Sequence, residues 1–547
     1  MRIGLGQFNA VVGDLEGNAE RMREIYGQAA KEGVELLLFP ELAVCGYPPE
    51  DLLLKKHFLE DNHLTVEKLA ADCPDITIMV GFADSYRGST YNSAAILHGG
   101  RISAVYRKGL LPNYGVFDEQ RYFQSGGKPL IIRPAGIKTA VTICMDIWDI
   151  DWLSAFFKKA GPIDLLLNIS ASPFHLGKIE TRKKIVGQCA KEFNCVVCYC
   201  NLVGGQDELV FDGQSIIADT SGEIVAMARA FEEDLLIADI DTKGETLSVR
   251  PIQPSASRQL DALDEMYLSL VLGTKDYVRK NGFSKVLVGL SGGIDSAVTA
   301  AIAVAALGAE NVIGITMPSK FNSPETISDA EGCAKNLGIR FMTIPIGPVL
   351  QQFNGSLEQV PGWDSKGIAY ENLQARIRGT ILMSLSNQWG ALVLTTGNKS
   401  EIAVGYATLY GDTAGGFAVI KDVFKTMVYK LARYINDINK REIIPASVID
   451  RVPTAELRPN QKDTDSLPDY DLLDKILKGY VEEDKSAGQL IEQGLPKDIV
   501  SRVIRMVDRN EYKRRQSPPG VKITPKAFGR DRRLPITNRY NHWNNSK

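Results

Sequence analysis

The chain has 547 residues, 44% of them apolar and 24% charged, and its 63 basic and 66 acidic side chains leave a formal charge of −3. That is length for two to four domains with real cores, and the total charge carries no basic excess of the kind nucleic-acid binding demands. The balance is uneven, however: Arg502 to Lys547 holds 13 basic against 3 acidic residues, and such a tail needs an explanation of its own. The opening MRIGLGQFNAVVGD lacks the apolar core of a secretory signal. The Ala-rich apolar run from Ala297 to Ala309 is well short of the roughly 20 residues a membrane span needs. Eight cysteines are too sparse for a disulfide scaffold and predict a reducing, cytoplasmic setting.

In chain order, MRIGLGQF reads as a strand and Asn18–Glu32 as an amphipathic helix. VELLLFPE, DITIMVGF, AAILHGG, ISAVYRK, KTAVTICMD and DLLLNISAS are further strand-like runs. A helix over Lys178–Phe193 follows, then CVVCYCNLV, SIIADTSG and LLIADID. Short strands joined by helices predict an α/β sandwich of sheets with covering helices. Cys195, Cys198 and Cys200 lie close together, but on a buried strand Cys195 and Cys198 point to opposite faces, and no second cluster completes a zinc site.

Three of these runs end on a reactive side chain: Glu41, Lys108 and Cys144. A thiol becomes a nucleophile when a base takes its proton or a cation stabilises the thiolate. Glu41 suits the base, Lys108 suits the cation and an oxyanion partner, and the backbone N–H of Met145 is a second oxyanion donor. Taken singly, Cys144 also fits a small core residue, and Glu41 and Lys108 fit surface charges.

The pattern lapses over Asp241–Arg258, which is rich in Pro and Ser. It divides the chain into an expected first domain at 1–245, a linker at 246–259 and a second domain at 260–547. After a helix over Leu260–Arg279, SKVLVGL, NVIGITMP, IRFMTIPI and ALVLTTGN alternate with helix-length segments, one of them opened by Ser323-Pro324-Glu325. Repeated βα units predict a doubly wound parallel sheet. Residues 469–515 read as helical, and the basic end reads as irregular.

The first of these strands runs into Ser291-Gly292-Gly293-Ile294-Asp295-Ser296 and then an Ala-rich helix. Free N–H groups at that helix start, with glycines that admit close approach, make an anion site. No Gly-Lys-Ser/Thr follows, so this is not a Walker A loop. The hydroxyls of Ser291 and Ser296 are then expected to help hold phosphates, with Asp295 beside them through a bridging cation such as Mg²⁺.

These residues resemble the SGGxDS loop of the ATP pyrophosphatases. Tyr370 to Gly379, Thr395 to Glu401, Tyr406 to Asp412, Lys421 to Thr426 and the tail KRRQSPPGVKITPKAFGRDRRLPITNRY resemble the NAD synthetase branch over residues 260–547. The resemblance implies ATP phosphates on Gly289, Leu290, Ser291, Gly292, Gly293, Ile294, Asp295 and Ser296, and a nucleotide contact at Thr396. It implies Mg²⁺ on Asp295 and Glu401, and deamido-NAD on Asn372, Glu401, Lys425 and Lys513, with Lys425 reaching a phosphate.

In the first half, Phe39-Pro40-Glu41, Tyr106-Arg107-Lys108 with Leu111 to Tyr114, and Ile143-Cys144-Met145-Asp146 resemble the nitrilase, or carbon–nitrogen hydrolase, superfamily over about residues 1–245. That implies a four-layer α-β-β-α sandwich with a Glu41-Lys108-Cys144 triad. It also implies Glu119 as an auxiliary glutamate, and Tyr114, Ser172 and Lys178 around a glutamine substrate. The stretch Gly204 to Gly213 resembles the version fused to NAD synthetases.

Together the halves resemble the glutamine-dependent NAD synthetases. The resemblance implies ATP- and glutamine-dependent amidation of deamido-NAD to NAD, with AMP, pyrophosphate and glutamate released. It implies a homo-oligomer, with residues 365–389 as the interface helix, and neither nucleic acid nor membrane as partner. Two alternatives stay open at this point: an amidase feeding another adenylated acceptor, and an RNA-modifying pyrophosphatase that uses the basic tail. Against the second, the tail is not an interleaved basic and aromatic platform.

Overall fold

The computed structural model describes residues 1–158, 160–241, 247–252 and 259–540. The chain divides into two compact units, Met1–Leu260 and Asp261–Lys547.

The first unit holds a seven-stranded and a six-stranded sheet. The former runs, edge to edge, Ser248–Pro251, Asp234–Asp241, Arg2–Gln7, Leu36–Leu38, Thr77–Tyr86, Ser89–His98, Arg101–Arg107. The latter runs Ile224–Met227, Ile216–Ala218, Val196–Asn201, Leu165–Ser170, Thr139–Ile143, Leu130–Ile132. Strand alternation sorts the apolar side chains into three layers. Leu36 and Leu38 face Ile143, Leu165 and Leu167 between the sheets. Leu37 turns the other way, towards Met22 and Leu69 on the helices Leu15–Lys31 and Lys56–Asp72. Leu166 and Val197 pack outward on Leu153 and Val186 of the helices Ile150–Phe157 and Lys178–Phe193. The result is the α-β-β-α sandwich. Cys195 lies in this outer layer while Cys198 and Cys200 lie between the sheets, as their spacing on a strand requires.

The linker expected at 246–259 needs a correction. Ser248–Pro251 is an edge strand, paired antiparallel with Asp234–Asp241 so that Val249 lies opposite Ile240. Val249 packs on the inter-sheet core, and Arg250 reaches Asp239 at 2.8 Å. A proline is tolerated at an edge, where no ladder donor is needed. The rest of that segment, 253–258, lies outside the described residues.

In the second unit five parallel strands are ordered Arg340–Thr343, Val312–Thr316, Lys285–Gly289, Ala391–Thr395, Phe417–Ala418. The order reverses beside Lys285–Gly289, and the carboxyl edge at such a reversal is where doubly wound sheets hold ligands. Helices Tyr470–Leu477 and Lys497–Arg509 build a further core with Lys399–Val404, beside that edge. Among the described residues no helix is long and apolar enough to cross a membrane.

Part of the basic tail's charge is paired within the fold. Buried Arg514 pairs with Glu511 at 2.9 Å, Lys522 with Asp531 at 2.7 Å, and Lys526 with Asp484. The Asp422 carboxylate accepts the backbone N–H groups of Ile523 and Thr524 at 2.9 and 2.7 Å. Fully buried Lys399 binds both Asp422 and Glu482, so the tail is stitched onto the helix that carries Glu401.

Candidate active sites

In the first unit the three strand-end residues are brought to one place. Lys108 follows the strand Arg101–Arg107 directly, Cys144 follows Thr139–Ile143, and Glu41 sits in the turn after Leu36–Leu38. All three are buried. The Lys108 ammonium donates to Glu41 Oε1 at 2.7 Å and to both Glu119 oxygens at 2.9 and 2.8 Å. Glu41 is fixed further by the Asn92 amide at 2.7 Å and by the N–H of Ala171 at 2.8 Å, and Glu119 by the Tyr47 hydroxyl at 3.0 Å.

The electrostatics follow from burying three charges together. Burial pulls the Lys108 ammonium down, but Glu119 and Glu41 more than offset this and hold it well above the ordinary lysine value. Burial pushes the Cys144 thiol up, Glu41 adds to the rise and Lys108 opposes it. Burial and Glu41 thus favour the protonated thiol, and a nucleophilic step calls for a base within the site. Cys144 adopts a left-handed backbone, φ 42°, a conformation that costs roughly 1–3 kcal/mol in a non-glycine residue and clusters at functional sites.

The expected glutamine contacts divide. The Tyr114 side chain is exposed, with its hydroxyl 3.7 Å from Met145 Sδ. The Lys178 ammonium lies 4.2 Å over the Trp148 ring, one turn past Cys144. Ser172 is buried, and its hydroxyl and carbonyl accept from Arg182 at 3.2 and 2.8 Å. Arg182 itself is fully buried against both oxygens of Asp212 at 2.7 Å. Sequence reasoning singled out neither Arg182 nor Asn92, since each is a polar residue inside a regular element and meets its partner only across the fold.

In the second unit the SGGIDS loop joins the strand Lys285–Gly289 to the helix Ile294–Leu307. Gly292 has φ +80°, and a Cβ there would lie 2.1 Å from the Thr326 carbonyl oxygen. Any side chain at Gly292 would therefore displace the loop. The Ser291 and Ser296 hydroxyls, expected on phosphates, here close the turn: they lie 3.2 Å apart, Ser291 accepts from the Gly293 N–H at 3.2 Å, and Ser296 donates to the Gly293 carbonyl at 2.9 Å.

Asp295 and Glu401 do converge. The buried Lys425 ammonium donates to Asp295 Oδ2 and, at 3.3 Å, to Glu401 Oε1. Asn398 caps the helix Lys399–Val404 through the Glu401 N–H at 3.0 Å and donates its amide to Asp295 at 2.9 Å, so one side chain links the Asp295 carboxylate to the Glu401 backbone. Burial lifts Glu401; Lys425 opposes the rise and Asp295 adds to it. Asp463, held by the hydroxyls of Tyr470 at 2.9 Å and Tyr406 at 3.3 Å, lines the same cavity. Among the described residues no three His, Cys, Asp or Glu side chains are grouped to hold a metal. A pair gathered on one cation nevertheless fits Mg²⁺, which takes one or two protein carboxylates and completes its shell with water and substrate phosphates.

Thr396 lines a neighbouring cavity of about 270 Å³ with Gly289, Leu290, Met317 and Arg378. Arg378 donates to the Met317 carbonyl at 2.9 Å, and burial brings its pKa down to about 10. Asn372 and Lys513 meet the stretch 405–412: Asn372 accepts from the Thr408 hydroxyl at 2.7 Å, and the Lys513 ammonium donates to the carbonyls of Gly405 and Ala407 at 2.7 and 2.8 Å. Asp412, within that stretch, accepts the Thr408 N–H at 2.7 Å and lines both this cavity and the one that holds Asp295 and Glu401.

Fold and sites together define a two-part enzyme, an amidase of the nitrilase type and a pyrophosphatase-type nucleotide ligase on one chain. The carbon–nitrogen hydrolase family model matches residues 2–246 and the NAD synthase model matches residues 266–517. The chain is 45% identical to a glutamine-dependent NAD(+) synthetase of Thermotoga maritima over 99% of each chain, and 46% identical to one of Acinetobacter baylyi over 98% of each. It is similar in structure to the glutamine-dependent NAD+ synthetase of Acinetobacter baumannii in complex with ADP, with TM-score 0.78, 43% identity and 98% of each chain covered. The chain belongs to the glutamine-dependent NAD(+) synthetase family.

Proposed function

We propose that this chain converts deamido-NAD to NAD, using ATP to activate the acceptor and glutamine to supply nitrogen, with AMP, pyrophosphate and glutamate as the other products. The observation that carries the reading is the presence of two clusters of reactive side chains on one chain: Glu41, Lys108 and Glu119 gathered beside Cys144, and Asp295, Lys425 and Glu401 beside the SGGIDS loop.

In the first site Glu41 takes the Cys144 proton as sulfur attacks the glutamine amide carbon. Lys108 and the Met145 N–H stabilise the oxyanion, and the C–N bond breaks as the proton passes to the departing ammonia. Water then attacks the thioester, with Glu41 again accepting a proton, and glutamate leaves with the thiol restored. Tyr114, Ser172 and Lys178 orient the glutamine.

In the second site the deamido-NAD carboxylate attacks the α-phosphorus of ATP and pyrophosphate departs. Ammonia attacks the resulting adenylate, a C–N bond forms, AMP leaves and one proton is lost. The loop Gly289–Ser296 cradles the phosphates, and Thr396 meets the nucleotide. Asn372, Glu401, Lys425 and Lys513 hold the acceptor. Asp295 and Glu401 would hold Mg²⁺, which when bound would offset the charge of the phosphates.

Chelation by EDTA is expected to stop NAD formation from either nitrogen source while leaving glutamine hydrolysis intact. Loss of both activities would contradict the metal assignment. The eight free, buried cysteines support a reducing, cytoplasmic setting. Self-association is assigned to the helix Ile368–Trp389, which exposes Ile368 and Met383, and sedimentation tests it. The whole reading is tested by product analysis with deamido-NAD, ATP and glutamine: NAD, AMP and glutamate in equal amounts are expected.

A further inference from the structure

One carboxylate next to the nucleophile takes no part in the steps above. Asp146 is fully buried, and both its oxygens are in use. Oδ1 accepts from the backbone N–H groups of Gly109 and Leu110 at 3.0 and 2.8 Å, the two residues after Lys108. Oδ2 accepts from the N–H of Ile143 at 2.9 Å, the residue before Cys144, and from the hydroxyl of Tyr106 at 2.8 Å.

Lys108 stands at the end of a strand of the seven-stranded sheet, and Cys144 at the end of a strand of the six-stranded sheet. No backbone ladder joins those strands, so their separation is set by side chains across the seam. Asp146 is the side chain that grips main chain on both sides. Its grip on Ile143 also closes the turn in which Cys144 adopts φ 42°. On the lysine side Trp152 leaves no room for a side chain at Gly109, since a Cβ there would lie 2.3 Å from the indole. Charge-assisted bonds of this kind are roughly twice as strong as neutral ones. In a buried site an acceptor with four donors is costly to replace by any group that itself donates.

We infer that Asp146 is a positioning residue that clamps the Lys108 ammonium and the Cys144 thiol in facing register across the seam between the sheets. The inference rests on Cys144 being the nucleophile. A displacement of about 1 Å between reacting groups costs on the order of 10²-fold in rate.

Asp146→Asn keeps the shape but sets an amide N–H against a donor. It is expected to lower kcat for glutamine-driven NAD formation by about 10²-fold, with KM for glutamine within about threefold of wild type. Ammonium-driven synthesis, which uses the other unit, serves as the control for an intact chain. A role in stability alone shifts Tm and leaves the folded enzyme's kcat in place. If Asp146→Asn does not fold, Tyr106→Phe decides, because it removes one of the four bonds: a kcat loss of up to about tenfold at constant KM is expected. Wild-type kcat in the variant that folds, or a rise in KM alone, overturns the clamp. Cys144→Ala in the same series separates the two ideas. If it keeps glutamine-driven synthesis, the nucleophile assignment has failed; if it loses that synthesis while Asp146→Asn does not, only the clamp has failed.

Discussion

Cys144→Ala is expected to lower glutamine-driven NAD formation by on the order of 10³-fold or more, while ammonium-driven synthesis stays within about twofold of wild type. The first effect follows from chemistry, since alanine has no lone pair with which to form a thioester and nothing else in the cluster replaces it. The second follows from packing. The Lys108 charge is balanced by Glu41 and Glu119 at 2.7–2.9 Å without help from the thiol, so removing sulfur leaves no buried charge unpaired. Parallel assays with glutamine and with ammonium chloride check both halves of the prediction. Equal loss from both nitrogen sources would mean that the variant damages the whole chain.

Asp295→Ala gives the opposite pattern. NAD formation from either nitrogen source is expected to fall by about 10²–10³-fold, with hydrolysis of glutamine to glutamate intact. Asp295 is bound by both Asn398 and Lys425, and its loss leaves the buried Lys425 ammonium with Glu401 at 3.3 Å as its remaining carboxylate contact. Breaking a buried ion pair from one side costs about 3–5 kcal/mol, so a thermal scan is expected to show the second unit destabilised as well. Asp295→Asn separates the two effects: the amide still fills the space, so activity falls similarly and the stability loss shrinks.

Much of both sites was legible because the reactive residues punctuate apolar runs. Lys108 and Cys144 each follow a strand directly, and a charged or nucleophilic group at a rigid strand end stands out from its neighbours. Ser291 to Ser296 is legible for the same reason, as glycines between a buried strand and a strong helix former.

The supporting residues were not legible. Asn92, Asp146, Arg182 and Asn398 each take their place in a site through a partner distant in sequence: Glu41 is 51 positions from Asn92, Leu110 is 36 from Asp146, Asp212 is 30 from Arg182 and Asp295 is 103 from Asn398. The edge strand Ser248–Pro251 was hidden because its Ser and Pro read as linker, whereas pairing with Asp234–Asp241 sets its structure. The basic tail illustrates the limit of counting charge. Its excess called for a partner, RNA among the alternatives, yet Arg514, Lys522 and Lys526 are answered within the fold by Glu511, Asp531 and Asp484. Lys513, set against the stretch 405–412, stays in the substrate-binding assignment.

Nitrogen released from glutamine at Cys144 is expected to pass to an acceptor activated beside Asp295. The most direct test supplies the full chain with amide-labelled glutamine, deamido-NAD and ATP together with unlabelled ammonium, and follows the label by mass spectrometry. Label is expected in the carboxamide of NAD, with glutamate and AMP formed alongside it. Label confined to free ammonium, with unlabelled NAD, would contradict it.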